Sequence, residues 1–207
     1  KGQVRAIDYV AWDPATSVMV TTPVAAYSYD VEGRLVKVTD PRTGLATSYG
    51  YEGSSASEQP LLRSVTPSGL AGFTLDYGQA SQDKQSLLSV SRDPATAGGA
   101  KHTLARFVYG IDPQTVTQGL PTLTSEEVAV WGQSTAPTYA AAVFSADRQN
   151  VAGSTTSAVT AGDWPYADVQ YTDDQGRVLN TASYGAGDWQ FTATGYDNAG
   201  RIIRSLD

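Results

Sequence analysis

Residues 29–35 read YDVEGRL, and residues 196–202 read YDNAGRI. A looser version, YTDDQGRV, runs from Tyr171 to Val178 and has one more residue between its tyrosine and its glycine. Asp at the first position of a type I turn, with Gly three residues later, is typical of a β-hairpin that closes with a one-residue bulge. Gly accepts the left-handed backbone conformation needed there. The recurrence of one turn type indicates internal repeats.

Strand patterns flank these turns. Residues 34–39 (RLVKVT) have the alternating, β-branched pattern of a strand. Residues 40–44 (DPRTG) are predicted to form a second turn. Residues 45–51 (LATSYGY) are predicted to form a further strand, which ends on an aromatic side chain. This unit recurs strongly over 27–51 and 169–207 and in degenerate form over 60–145. Within the degenerate part, residues 73–77, 120–130 and 139–145 match its strands and are predicted to be β structure. We therefore predict an all-β fold of antiparallel hairpins in a meander, with repeats stacked edge to edge.

The chain shows no domain boundary, so we predict one segment over residues 1–207. Residues 149–162 (QNVAGSTTSAVTAG) are small and polar and indicate a surface loop. Residues 125–127 and 138–143 are the candidates for a short helix, but their β-rich flanks disfavour it. The sequence stops inside a repeat, so we expect it to be part of a longer chain.

Composition excludes several classes of protein. The net charge is −7, which disfavours binding to nucleic acid or to an anionic membrane surface. The absence of cysteine excludes disulfides and thiolate metal sites. No apolar run is long enough for a transmembrane helix, so no membrane span is predicted.

Aromatic residues are frequent, with 12 tyrosines and 4 tryptophans. We expect the tyrosines at strand ends to line up as ladders across neighbouring strands, namely Tyr29, Tyr51, Tyr77, Tyr109, Tyr171 and Tyr196. The arginines that follow the turn glycines, Arg34, Arg177 and Arg201, are expected to pair with the aspartate of an adjacent turn. Such pairs contribute little singly but can fix register as a network.

The repeated heptads, together with Gly176-Arg177-Val178, resemble the Rhs/YD-repeat family of bacterial Rhs toxins, insecticidal toxin complex B and C components, and teneurins. The resemblance implies a curved, spiralling β-sheet that forms part of a hollow shell. It assigns a structural role to the turn residues, which are Tyr29, Asp30, Gly33, Arg34, Tyr171, Gly176, Arg177, Tyr196, Asp197, Gly200 and Arg201.

The same resemblance implies a function. In toxin members the shell encloses a C-terminal toxic domain until delivery, so the expected role is encapsulation of a C-terminal toxin or effector. The expected partners are the remainder of the shell and the enclosed polypeptide, and the expected location is secreted or at the bacterial cell surface. Neither a cofactor nor enzymatic activity is predicted.

A binding module is the alternative. Aromatic rings exposed on a sheet can stack on sugar rings, which makes cell-surface glycan a possible partner. The candidate residues are the tryptophans Trp12, Trp131, Trp164 and Trp189. Alternatively, these tryptophan side chains have a structural role and pack within the sheet face.

An enzyme is the remote alternative. Two carboxylates of the acidic group Asp163, Asp168, Asp173 and Asp174 would suit glycoside hydrolysis if they lay roughly 5–9 Å apart. Calcium is also conceivable there, although the D-x-D-x-D-G loop is absent. Turn-capping aspartates explain the group more simply. His102 is the only histidine, and no nucleophile-elbow serine accompanies it, which disfavours a catalytic triad.

Overall fold

The computed structural model describes residues 2–52, 60–79, 84–94, 98–146 and 158–206. Its strands are β1 (Ala6–Asp13), β2 (Val18–Tyr29), β3 (Leu35–Thr39), β4 (Ala46–Glu52), β5 (Leu61–Pro67), β6 (Phe73–Tyr77), β7 (Leu87–Arg92), β8 (His102–Ile111), β9 (Tyr139–Ser145), β10 (Ala167–Thr172), β11 (Val178–Gly185), β12 (Asp188–Tyr196) and β13 (Ile202–Leu206). One helix, α1 (Ser125–Ala129), and a 3-10 turn at Trp164–Tyr166 complete the described elements.

The strands follow one another in chain order within a single sheet of 13 strands, from β1 to β13. The pairings β1–β2, β2–β3 and β3–β4 are antiparallel, as are those from β8 through β13. Each hairpin pairs with the next one along the chain, which is a meander. The prediction of an all-β, antiparallel meander is confirmed.

The repeated turns have the predicted geometry. Gly33, Gly176 and Gly200 have positive φ values of 84°, 79° and 76°. In all three turns the amide of the glycine donates to the carbonyl of the aspartate three residues earlier, at 2.9–3.1 Å. The strand register shifts by one residue just before each turn, as a bulge requires. The three similar turn sequences therefore share one local structure.

The helix α1 corrects one expectation. We expected β structure through residues 120–130, but Ser125–Ala129 is helical. Thr124 caps the helix: its hydroxyl accepts from the amide of Glu127, and the Glu127 carboxylate accepts from the amide of Thr124 at 2.7 Å. This reciprocal capping box stabilises a helix start that its β-rich flanks conceal. Residues 139–145 form strand β9, as predicted.

Contacts divide the chain into two compact units. Unit 1 comprises Lys1–Leu75 and Ser91–Lys101, and unit 2 comprises Asp76–Val90 and His102–Asp207. The assignment of residues 1–207 to one repeat segment stays a prediction. Of the predicted polar loop 149–162, residues 149–157 lie outside the described residues, and 158–162 contain neither strand nor α-helix.

Unit 2 has a hydrophobic core. The segment between β8 and β9, which carries α1, contributes Leu120, Leu123 and Val128 to a cluster that also contains strand residues and Trp164. The largest fully buried side chains there are Trp164, Tyr171 and Phe144. Polar anchors hold the segment in place, since the Gln114 amide donates to the carbonyls of Leu123 and Pro137. An insertion between two strands therefore covers part of the sheet in this unit.

Candidate functional site

Each repeated turn is closed by its own aspartate and arginine. The Asp30 carboxylate accepts from the amide of Arg34 at 2.8 Å and from its Nε at 2.5 Å. Asp173 and Arg177 repeat this arrangement at 2.9 and 2.7 Å. The expectation that the arginine pairs with an adjacent turn is wrong for these residues. A spacing of four residues across a tight turn brings the two side chains of the same turn together.

The same arginine also contacts the tyrosine at the end of its own repeat. The guanidinium of Arg34 lies 5.2 Å from the centre of the Tyr51 ring, and the Tyr51 hydroxyl donates to the Leu35 carbonyl at 2.9 Å. A cation over an aromatic face at this distance is attracted by the ring quadrupole. We call this set of interactions the turn–tyrosine contact. It joins a turn to the tyrosine at the end of a later strand.

Unit 2 has its own copy of the turn–tyrosine contact. The guanidinium of Arg177 lies 5.1 Å from the centre of the Tyr196 ring, and the Tyr196 hydroxyl donates to the Val178 carbonyl at 3.0 Å. The accepting carbonyl again belongs to the residue after the arginine. Two stretches far apart in sequence therefore use the same three groups in the same geometry.

The tyrosines do not form the ladder that we expected. Tyr29 and Tyr109 also donate to backbone carbonyls, those of Val4 and Leu87. Within the described ranges, no aromatic ring pair joins two of the expected ladder tyrosines. The hydroxyls of four of these tyrosines, Tyr29, Tyr51, Tyr109 and Tyr196, each donate to a backbone carbonyl. Hydrogen bonding rather than ring stacking therefore links these four side chains to the preceding strand or the residues just before it.

Tyr171 departs further from the expected pattern. Its extra residue before the turn places Thr172, not Tyr171, next to Asp173, and a one-residue shift moves a strand side chain to the opposite face. Tyr171 is accordingly fully buried beside Ala167 and Val169 in the core of unit 2. Its hydroxyl has no hydrogen-bond partner among the residues described, and burial raises its pKa.

The turn of Asp197 and Arg201 has the same internal bonds, with the Arg201 Nε donating to the carboxylate at 2.8 Å. Its arginine side chain is 80% exposed, compared with 31% for Arg177 and 23% for Arg34. Within the described part of the chain, no tyrosine ring lies over Arg201. The internal bonds of this turn therefore form without a described tyrosine ring over the arginine.

Hydrogen bonds keep the turn carboxylates ionised. The pKa of Asp197 is lowered by the backbone and side-chain donors of Arg201. Burial opposes ionisation of Asp30 and Asp173, but the donors of Arg34 and Arg177 outweigh it, and the pKa of each carboxyl group is lowered. A donor bonded to the charged form stabilises that form. The carboxylates are thus fixed acceptors rather than proton donors near neutral pH.

A cleft of about 190 Å³ lies beside the turn of Asp173 in unit 2. One wall is the segment that follows α1, and the others come from the turn and from β11, β12 and β13. The lining residues are Trp131, Gly132, Gln133, Ser134, Thr135, Asp173, Arg177, Leu179, Ala193, Thr194, Gly195, Tyr196, Ile203, Arg204 and Leu206. The cleft thus contains the arginine and the tyrosine of the second turn–tyrosine contact.

Two long-range contacts hold the wall of the cleft. The side-chain amides of Gln133 and Asn180 donate to each other's oxygens at 2.9 Å. Arg204 donates to the carbonyl of Gly132 at 3.0 Å. None of these residues is predicted from the sequence. Gln133 and Asn180 are 47 positions apart, and no local pattern marks them.

The four tryptophans have different environments. Trp131 and Trp189 are half-buried and line one shallow site together with Phe191, whose ring centre lies 5.2 Å from that of Trp131. Trp12 is 58% exposed on β1, in unit 1. Trp164 is 0% exposed and packs against Phe144. The expectation of a surface platform is therefore wrong for Trp164, because the core encloses its ring.

The acidic group does not assemble into one site. Asp173 is held by Arg177, while the Asp163 carboxylate accepts from the Thr160 hydroxyl, and Asp168 and Asp174 are exposed. The described residues contain no group of three or more His, Cys, Asp or Glu side chains that could hold a metal ion. His102 is exposed at the start of β8. Turn capping accounts for Asp163 and Asp173.

The chain was also compared with known proteins. No protein-family model matches it, and no curated protein matches it. No helix within the described ranges is long and apolar enough to cross a membrane.

Proposed function

We propose that the chain is a structural segment of a secreted Rhs/YD-repeat shell, which encapsulates a C-terminal toxin or effector domain. The repeated heptads suggest the family, and the turn–tyrosine contact supports the structural role. This contact occurs at Arg34 and Tyr51 in unit 1 and at Arg177 and Tyr196 in unit 2. Because it connects hairpin to hairpin, it suits a protein whose task is to extend a wall.

A wall of this kind needs no catalytic group. Backbone hydrogen bonds between antiparallel strands close the gaps through which a protease or a cargo segment would pass. The turn–tyrosine contact fixes the turn between β2 and β3 against β4, and the turn between β10 and β11 against β12, so neighbouring strands stay paired at these two places. Encapsulation follows when such a wall surrounds a tethered polypeptide.

Limited proteolysis of the full-length parent protein tests this proposal. The polypeptide downstream of this segment is expected to survive protease in the intact parent and to be digested when produced alone. The double variant Arg34→Ala, Arg177→Ala is expected to shorten that protection, whereas Arg42→Ala, in an exposed turn, is the matched control. Digestion of the downstream polypeptide at equal rates with and without the shell would overturn the proposal.

Carbohydrate binding is the second candidate, and the shared site of Trp131, Trp189 and Phe191 favours it. Half-exposed aromatic rings beside polar side chains are the usual composition of a site that binds sugar rings by packing and hydrogen bonding. A glycan array probed with the wild-type chain and with Trp131→Ala and Trp189→Ala tests it. Tyr139→Ala is the control, because Tyr139 is an exposed aromatic residue that does not line this site. Array signals that persist in both tryptophan variants would dismiss the candidate.

A further inference from the structure

The cleft beside Asp173 differs from the rest of the molecule in charge. Among the described residues that line it, two are arginines, Arg177 and Arg204, and one is an aspartate, Asp173. The lining therefore has an excess of one positive charge, in a chain whose net charge is −7. A local excess of positive charge in an acidic protein favours an anionic ligand at that place.

The two copies of the turn explain why one arginine has spare donors. In the first copy, Glu32 accepts from Nη2 of Arg34 at 3.2 Å, so a second carboxylate occupies the end of the guanidinium. Gln175 stands at the equivalent place in the second copy and brings no charge. Arg177 bonds Asp173 through Nε, and no other carboxylate lies within ion-pair distance of it in the described part of the chain.

Arg204 supplies the second set of donors. Its Nη1 donates to the carbonyl of Gly132, which fixes the guanidinium at the rim of the cleft. A side chain at Gly132 would meet this nitrogen at 2.8 Å, so glycine permits the close approach. No carboxylate pairs with Arg204 among the described residues. An anchored guanidinium with free amino groups is suited to bidentate binding of a carboxylate.

The remaining walls suit a ring with hydroxyl groups. Trp131 and Leu206 offer apolar surface, and the cleft is smaller than the roughly 300–1,000 Å³ typical of sites for drug-sized ligands. Ser134 and Thr135 line the same cleft, and neither hydroxyl has a hydrogen-bond partner within the described residues. One ring-sized group therefore fits better than a long chain.

We infer that this cleft binds an acidic sugar, a hexose ring that carries a carboxylate, such as a uronic acid. The carboxylate lies against Arg177 and Arg204, the ring packs on Trp131, and the ring hydroxyls bond Ser134 and Thr135. The inference rests on the carbohydrate-binding candidate, with whose site the cleft shares Trp131, and adds the class of sugar. It is independent of encapsulation.

Calorimetric titration of the whole chain with glucuronate, glucose and benzoate tests the inference. Glucuronate is expected to bind at least about tenfold more tightly than glucose, because a hydrogen bond to a charged group is roughly twice as strong as a neutral one. Arg204→Gln is expected to weaken glucuronate binding by about tenfold or more, and Ser134→Ala by a smaller factor. Arg42→Gln removes an exposed arginine outside the cleft and is expected to leave binding unchanged.

The outcomes separate the inference from the candidate it rests on. Equal affinity for glucose and glucuronate, or unchanged glucuronate binding in Arg204→Gln, would overturn the inference and leave carbohydrate binding standing. Binding of benzoate without glucuronate would also overturn it, because the cleft would then accept carboxylates that are not sugars. If no sugar bound, either on the array or in the titration, both the inference and the carbohydrate-binding candidate would be overturned.

Discussion

Units 1 and 2 share the turn–tyrosine contact but differ in what covers their strands. Every buried hydrophobic residue in the described part of the chain belongs to unit 2. In unit 1, Tyr9 and Val10 are neighbours on β1 and point to opposite faces, yet both are exposed, at 63% and 49%. Unit 1 therefore has the same strand pairing and turn geometry as unit 2 without a fully buried hydrophobic residue among those described.

The source of the difference is the segment between strands. In unit 2 the connection between β8 and β9 carries α1 and places Leu123 and Val128 in the core. In unit 1 the connections whose residues are described are short turns, such as residues 30–34 and 40–44. The repeats determine strand order and register, whereas the inserted segment supplies the side chains that bury a core.

The largest expected difference concerns tryptophan. Trp164→Ala removes a fully buried ring from unit 2 and is expected to cost about 3–5 kcal/mol of unfolding free energy. Trp12→Ala removes an exposed ring from unit 1 and is expected to change it by less than about 0.5 kcal/mol. Urea unfolding of both variants measures the two values. Similar losses would contradict the assignment of the core to unit 2.

Glycine substitutions test the turns themselves. Gly176→Ala is expected to cost about 1–2 kcal/mol, because a Cβ strains the left-handed conformation even though no atom lies within 4 Å of it. Gly185→Ala is the control, since its φ is not positive and a Cβ there meets only ordinary contact. A loss at Gly185 that equals the loss at Gly176 would contradict the backbone explanation. Thermal unfolding supplies both numbers.

Two tyrosine hydroxyls are expected to act differently. Tyr196→Phe removes the donor to Val178 and is expected to cost about 1 kcal/mol. Tyr171→Phe removes a buried hydroxyl without a partner among the described residues and is expected to be neutral or stabilising within about 0.5 kcal/mol. Denaturant titration of both variants checks the pair. A clear loss for Tyr171→Phe would show that its hydroxyl has a partner.

The smallest effect is expected for the pH dependence of the unfolding free energy. The side-chain donor of Arg42, followed by its backbone amide, lowers the pKa of Asp40 to about 2, against about 3.9 for an aspartate in an unfolded chain. A carboxyl group whose pKa is lower in the folded state stabilises the fold above about pH 4, and this contribution is lost as the pH falls towards about 2. Asp40→Asn is expected to weaken the pH dependence in this window. Chemical unfolding at several pH values measures the slope, and an unchanged slope would contradict the assignment.

Strands were predictable where alternation and turn residues agree. Residues 73–77 and 139–145 were proposed as strands and are β6 and β9 with the same bounds. Thr124 and Glu127 form a capping box, which is a helix signal. The helix α1 was nevertheless not predicted, because the apolar and β-branched residues around it favoured a strand. Where the capping residues favour a helix and the surrounding apolar residues favour a strand, the sequence alone does not decide between the two.

The cleft could not be predicted. It depends on Gln133 meeting Asn180 and on Arg204 meeting Gly132, 72 positions away. Only the path of the inserted segment brings these groups together. The turn residues, by contrast, lie within seven positions of one another, so their geometry follows from local chemistry. The partner of each arginine was still assigned to the wrong turn, since a pattern of letters does not give side-chain direction.

A double-mutant cycle on Arg177→Met and Tyr196→Leu tests the turn–tyrosine contact most directly. The two changes are expected to be coupled by about 0.5–1 kcal/mol or more, because each removes the same cation–aromatic contact. A cycle on Arg34→Met and Tyr51→Leu should show coupling of the same sign in unit 1. Additive losses within about 0.3 kcal/mol in the Arg177 cycle would mean that the arginine and the ring are neighbours without interaction, and would contradict the account.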